Sequence, residues 1–220
     1  MELTTVHLVR HGEVDNPEGI LYGQRPGFHL TELGHTMAQG LAETFATHDI
    51  RTVITSPLER AQETGAPTAE VFGLTIRTDE RVIEADNNFE GLDVNKNRLI
   101  LAHPKFWRWY SNPLTPSWGE PYTDIIKRMS AAISQALTEA QGGEAVIVSH
   151  QLPIWTMRRF IEGKPLAHDP RKRECSLCSV TSLTFADRQL ISLKYWEPVG
   201  HLLHKAADMV PGTSEAATKK

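Results

Sequence analysis

Short β-branched runs alternate along the chain with longer stretches whose apolar residues recur every three or four positions. Val6-His7-Leu8-Val9, Thr52-Val53-Ile54-Thr55 and Ala145-Val146-Ile147-Val148 have the pattern of strands buried on both faces of a parallel sheet. Leu33, Met37, Leu41 and Phe45 repeat at a spacing of four, which predicts a helix from an N-cap at Thr31 to about Ala46. Gly34 and Gly40 weaken that helix. Ser56-Pro57-Leu58-Glu59 has the form of a capping box with Pro at the first helical position, and starts a second helix. Leu74-Thr75-Ile76-Arg77 reads as a further strand. The longest amphipathic pattern runs through Tyr122, Ile125, Ile126, Met129, Ile133, Ala136 and Leu137 and stops before Gly142-Gly143. A helix over Pro153 to Glu162 follows. Two strands, about 179–185 and 190–195, are expected to form a hairpin at Ala186-Asp187-Arg188. This alternation predicts an α/β fold with a parallel sheet.

One domain is expected over residues 1–200. Within it, about 92–121 stands apart, because Trp107, Trp109 and Trp118 fall among Pro104, Pro113, Pro116 and Pro121; a helical lid or insertion is expected there. Residues 201–220 are expected to form a C-terminal tail, partly disordered, with Gly, Ser, Thr, Ala and Lys from Ala206 onward.

Composition narrows the classes. A length of 220 residues suits one domain with a full core. Lys and Arg number 23 against 27 Asp and Glu, a net charge of −4 with no basic block, which argues against nucleic acid or a membrane surface as partner. No stretch approaches the roughly 18 apolar residues of a spanning helix. Met1-Glu2-Leu3 lacks a positive n-region, so no signal peptide is expected and the cytoplasm is the expected location. Cys175 and Cys178 form a single pair before a strand and read as buried thiols rather than a zinc or redox site. His201-x-x-His204 is a weak metal pattern. His29 and His35 flank a helix start, and His29 is the one that could face a pocket.

Chemistry collects where the apolar runs stop. The first ends in Arg10-His11-Gly12-Glu13, the second in Ser56 with Arg60 one turn into the next helix, the third in Ser149-His150. Ligands of open α/β sheets bind outside the carboxyl ends of the strands, so two His and two Arg would make a cationic pocket there for a phosphate or carboxylate. A neutral imidazole held by an acceptor on its other nitrogen can attack phosphorus, while Arg and His⁺ donors stabilise the phosphoryl oxygens. Gly12 would let the backbone approach closely. A protonated carboxylic acid is also needed for the leaving group, and Asp79, Glu80, Glu84, Asp86 and Glu90 are candidates. Arg60 could instead pair with Glu59 or Glu63.

Leu8-Val9-Arg10-His11-Gly12-Glu13 resembles the Arg-His-Gly signature of the histidine phosphatase superfamily, which includes cofactor-dependent phosphoglycerate mutase. In order along the chain, Tyr22-Gly23-Gln24-Arg25-Pro26-Gly27 with Leu30-Thr31-Glu32-Leu33-Gly34, Ser56-Pro57-Leu58-Glu59-Arg60-Ala61-Gln62-Glu63-Thr64, Ser117-Trp118-Gly119-Glu120 and Val148-Ser149-His150 resemble later segments of that family. The resemblance covers roughly residues 5 to 196. It implies a three-layer α/β/α sandwich with a mainly parallel sheet, His11 as phospho-accepting nucleophile, Arg10, Arg60 and His150 on the phosphoryl oxygens, and Glu84 as proton donor. Asn16, Gln24 and Arg25 become substrate-binding candidates. Several positions depart from the family. Asn16 lies five residues after His11, one closer than in the mutases, and Gln151 and Pro121 stand where the family has Gly and Ser. The run after Glu84 is one residue shorter, so Asp86 is kept as an alternative donor. Ile83-Glu84-Ala85, Phe89-Glu90-Gly91 and the Ser-His-Gln-Leu-Pro run are similar to uncharacterised actinobacterial members.

The expected function is a metal-independent phosphatase that hydrolyses a small phosphorylated metabolite through phospho-His11, with no cofactor. Its alternatives are a mutase-type phosphotransferase and a phosphate- or phosphoprotein-binding module of weak activity. A homodimer is left open.

Overall fold

The computed structural model describes residues 2–91, 119–208 and 214. A six-stranded sheet forms from β1 (Leu3–Arg10), β2 (Ile50–Thr55), β3 (Arg77–Thr78), β4 (Glu144–Ser149), β5 (Val180–Ala186) and β6 (Gln189–Trp196), in the order β3-β2-β4-β1-β5-β6. The first four strands are parallel, while β5 and β6 add an antiparallel hairpin. Asp187 and Arg188 make its turn in left-handed backbone conformations.

Both sheet faces are covered, as the continuous apolar runs require. Val6, Leu8, Ile54 and Ile147 pack against α3 (Tyr122–Glu139) and α4 (Gln151–Ile161), through Ile125, Met129, Ile133, Ile154 and Met157. Val9, Val53, Val146 and Val148 pack on the other face against Leu41 and Phe45 of α1 (Glu32–Phe45) and Ala61 and Ala69 of α2 (Glu59–Val71). The result is the expected α/β/α sandwich. Thr31 caps α1 as expected, accepting the Gly34 N–H at 2.9 Å. Gly34 is needed for contact rather than for flexibility: a Cβ there would run into the Glu13 carbonyl oxygen.

Four local expectations change. Ser56 does not cap α2, whose cap position is Leu58 with no side-chain bond. The sheet holds Ser56 instead, its N–H donating to Val148 O at 2.9 Å, so Pro57 and Leu58 make the turn. The strand expected over 74–77 shrinks to Arg77–Thr78, with Leu74 and Ile76 packed on the core beside it. The helix expected from Pro153 begins two residues earlier, at Gln151. Residues 201–208 are not a free tail. A 3₁₀ helix, Gly200–Lys205, follows Val199, which packs with Leu202 and Leu203 on Met37, Leu177 and Cys178, and Asp208 reaches Arg10.

Of the expected lid, residues 92–118 lie outside the described residues, as does most of the tail beyond Asp208. At the described end of the lid region, Gly119 bridges Asn87 and the Glu120 carboxylate pairs with Arg128 at 2.8 Å. Among the described residues no helix is long and apolar enough to cross a membrane.

Gly65 tests how tightly α2 rests on the sheet. A Cβ there would meet Thr55 Cγ2 at 2.8 Å and Val148 and Val53 at 3.4 Å. Helix propensity alone makes Gly to Ala favourable by about 1 kcal/mol, whereas overpacking costs about 1–3 kcal/mol. Gly65→Ala should therefore lower unfolding free energy in urea by about 1 kcal/mol; a gain would contradict the close packing.

Candidate active site

The parallel register brings three chain segments to one level. Arg10 pairs with Ser149 across β1 and β4, and Thr55 with Val148 across β2 and β4. His11 then donates its backbone N–H to Ser149 O at 3.1 Å, which places His11, Ser56 and His150 side by side just past the strand ends. The His11 and His150 rings lie 5.2 Å apart between centroids. Arg60, the second residue of α2, is fully buried beneath them. The structure thus brings together Arg10, His11, Arg60 and His150, as the strand-end pattern predicts.

His11 is held neutral and in a single tautomer. Its Nδ1 lies 2.8 Å from the Gly12 carbonyl oxygen, which can only accept, so Nδ1 carries the proton and Nε2 keeps its lone pair. Burial, reinforced by the Arg60 and Arg10 charges, holds its pKa well below the usual histidine value, and the ring is neutral. The Gly12 N–H donates to Thr64 Oγ1 at 3.0 Å, which ties this turn to α2.

Around His11 lie buried nitrogens that no atom of the described residues satisfies. Arg60 donates through NH2 to Gly23 O at 2.6 Å and stacks 4.7 Å above the Tyr22 ring, but its Nε and NH1 have no partner. It pairs with neither Glu59 nor Glu63, which instead take the Gly27 N–H and the Leu30 N–H. Arg10 Nε and His150 Nδ1 are likewise buried without a partner. Ser56 Oγ sits 2.8 Å from His150 Nε2. Burial first, then Arg60 and His11, drive the His150 pKa well below its usual value. The expected imidazolium is therefore a neutral imidazole in the protein alone; a bound dianion would act in the opposite direction. Burial opposes the charge on Arg10, and Asp208 more than offsets it by accepting from NH1 and NH2 at 2.7 Å each. Cys175 O accepts from the same NH1 at 2.8 Å.

The carboxyl candidates separate clearly. Asp79 is held at about 2 by hydrogen bonds from Arg81, by the Arg81 N–H and by Arg77, a structural role. Glu80 and Asp86 are exposed. Burial raises the Glu84 pKa above the ordinary carboxyl value against the pull of the Ala85 N–H and Arg60. Burial also raises Glu90, whose carboxylate accepts the Gln24 N–H at 2.7 Å and so supports the loop. Glu84 and Glu90 both feel Arg60 and are both biased toward the protonated form, but the Glu90 carboxylate is tied to the loop through the Gln24 N–H.

Two of the three substrate-loop candidates hold backbone. Asn16 donates to and accepts from Ile20, closing its own turn. Gln24 donates to Glu84 O at 2.7 Å and so positions the candidate acid. Arg25 is exposed beside Gly91, and His29 is exposed on Glu63. Cys175 and Cys178 are buried free thiols, pushed up by burial to about 11 and about 12. Sequence reasoning missed Tyr22, although it lies in a quoted motif, and Arg173, which feels Glu84 from a loop with no periodicity. It also missed Asp208, for which no local pattern exists.

Comparison with known proteins agrees with this geometry. The sequence model of the histidine phosphatase superfamily (branch 1) matches residues 6–197. The uncharacterised protein Rv0525 of Mycobacterium tuberculosis is 50% identical over 197 residues, covering 90% of this chain and 98% of its own. A Yersinia pestis protein named "Probable phosphoglycerate mutase GpmB" is 28% identical over 211 residues, 92% of each chain. The solved mycobacterial glucosyl-3-phosphoglycerate phosphatase Rv2419c shares the fold, with a TM-score of 0.70, 23% identity, and coverage of 88% of this chain and 97% of its own. With its sequence matched from β1 to the end of β6 and its paired histidines at the strand ends, the chain belongs to the histidine phosphatase superfamily.

Proposed function

We propose that the protein is a metal-independent phosphomonoesterase acting on a small phosphorylated metabolite through a phosphohistidine on His11. The observation that carries this reading is the single-tautomer His11, its Nε2 free, next to four unpartnered buried nitrogens of Arg10, Arg60 and His150. Nε2 attacks phosphorus in line with the ester oxygen, and the N–P bond forms as the P–O bond breaks. The guanidinium and imidazole donors take the charge on the three phosphoryl oxygens. Glu84, protonated, gives its proton to the departing alkoxide. As a carboxylate it then removes a proton from water, which attacks phosphorus and releases His11 and phosphate.

Phosphate on the protein after brief mixing with substrate should be acid-labile, base-stable and absent from His11→Ala. Unchanged turnover in that variant would end the proposal. The active form needs His11 neutral and Glu84 protonated. The lowered His11 pKa carries activity to pH values below the ordinary histidine range, and the raised Glu84 pKa extends its acid form above the ordinary carboxyl range. The alkaline fall of kcat should therefore flatten in Glu84→Gln. That variant should lose about 10²–10⁴ in kcat on alkyl phosphates, yet far less on p-nitrophenyl phosphate, whose leaving group needs no acid. An equal loss on both substrates would point away from Glu84 as donor. Transfer to a second hydroxyl instead of water would appear as 3- to 2-phosphoglycerate conversion with a bisphosphoglycerate primer, which this reading expects to be minor.

Asp208 occupies the two Arg10 N–H groups that a phosphoryl oxygen would use, so substrate binds only when this carboxylate leaves. Asp208→Asn should lower KM several-fold with little effect on kcat; an unchanged or raised KM would show that the carboxylate does not compete.

A further inference from the structure

At the opposite end of the sheet, a second set of side chains converges from three places in the chain. His7 belongs to β1, His48 to the connection between α1 and β2, and Glu144 is the first residue of β4. Glu144 Oε2 lies 2.7 Å from His7 Nε2 and 2.6 Å from His48 Nδ1, and the three donor atoms all fall within 4.8 Å of one another. Among the described residues this is the group of histidine, cysteine and carboxylate side chains close enough to share a metal ion. Strand rise places Glu144 about 20 Å along β4 from His150, so it has no part in the phosphoryl chemistry.

We propose that His7, His48 and Glu144 form a binding site for a zinc-type divalent cation. Two imidazoles and one carboxylate are a donor set for tetrahedral zinc, with a fourth position for water. His7 is almost wholly buried, whereas the His48 and Glu144 side chains are 28% and 25% exposed, so the fourth position faces solvent.

The surroundings hold the ligands as a metal site needs. His7 Nδ1 lies 2.8 Å from Ser182 Oγ, and that same oxygen accepts the Trp196 indole N–H at 2.9 Å. With His7 Nδ1–H donating to Ser182, the lone pair of Nε2 is directed at the ion, the second-sphere contact that orients metal-bound histidine. The His48 ring lies parallel to Trp196, 7° between planes, and edge-on to Phe45, so its rotation is limited as well. Binding requires Glu144 Oε2 to draw back by roughly 0.5 Å from each nitrogen, and the His7 and His48 nitrogens to settle at tetrahedral spacing, to reach metal–ligand distances of about 2.0–2.2 Å. A carboxylate at the start of a strand has that freedom. The ion would add a bond between β1, β4 and the connection that follows α1.

The test uses the full chain, stripped with a chelator and titrated with Co²⁺ near neutral pH. The proposal expects the intense visible d–d bands of tetrahedral cobalt, saturating at about one ion per chain. Zn²⁺ should displace them, and Zn²⁺ should raise Tm. His48→Ala and Glu144→Gln should abolish the bands with an unchanged far-UV circular dichroism spectrum. His48→Ala, at a partly exposed connection, serves if Glu144→Gln fails to fold. Ser182→Ala should retain the bands with about 10–100-fold weaker affinity. Absence of tetrahedral bands, or bands that survive His48→Ala, would overturn the proposal. So would bands lost only with His201→Ala and His204→Ala, which would move the binding to the exposed 3₁₀ segment.

Discussion

The pairing register of β1, β4 and β2 is the constraint from which the rest of the molecule follows. A parallel ladder fixes which residues stand level, and here Arg10 stands level with Ser149, and Thr55 with Val148. Each strand therefore ends where its neighbour ends, and the first residues beyond, His11, Ser56 and His150, must share one small volume. A slip of one residue would turn Val6 and Leu8 off the α3–α4 face and expose the two histidines to different sides. The same ladder sets Thr5 opposite Glu144 at the other end, which brings the Glu144 carboxylate to His7.

Placing positive charge at that edge is costly, and the structure offsets the cost only in part. Arg60 is fully buried with one carbonyl, Gly23 O, and one aromatic face, Tyr22, to accept its charge. Nitrogens left without partners in a dry environment cost roughly 1–3 kcal/mol or more each. Such a deficit persists in a folded protein where an anion is bound for part of its working life. Arg10 meets the same deficit with Asp208, a carboxylate supplied by the chain itself. Burial first, and then the neighbouring cations, depress both histidines, so the charge gathered at this edge helps keep His11 unprotonated.

Much of this was legible in sequence because the signals were local. The three central strand runs, the Thr31 cap and the α3 period are set by residues within a few positions of each other, and all three appear where expected. The four central site residues were legible because each follows directly on a strand or helix start. Ser56 misled for a related reason: its motif suits a helix cap, but the hydrogen bond its N–H donates to Val148 O held it on the sheet. Asn16, Gln24 and Arg25 lie in a loop, where identity does not fix direction, and Asn16 and Gln24 turned out to hold backbone.

By itself the sequence determined the layers, the parallel core and the cluster of Arg10, His11, Arg60 and His150, since burial period and strand ends are short-range properties. Only the tertiary structure decided the protonation of that cluster, because desolvation and neighbouring charges depend on the whole packed interior. It alone distinguished Glu84 from Asp86, by desolvating one half-buried carboxyl and leaving the other exposed. It alone brought Asp208 to Arg10 and His48 to Glu144, contacts across 198 and 96 positions that no pattern along the chain could specify.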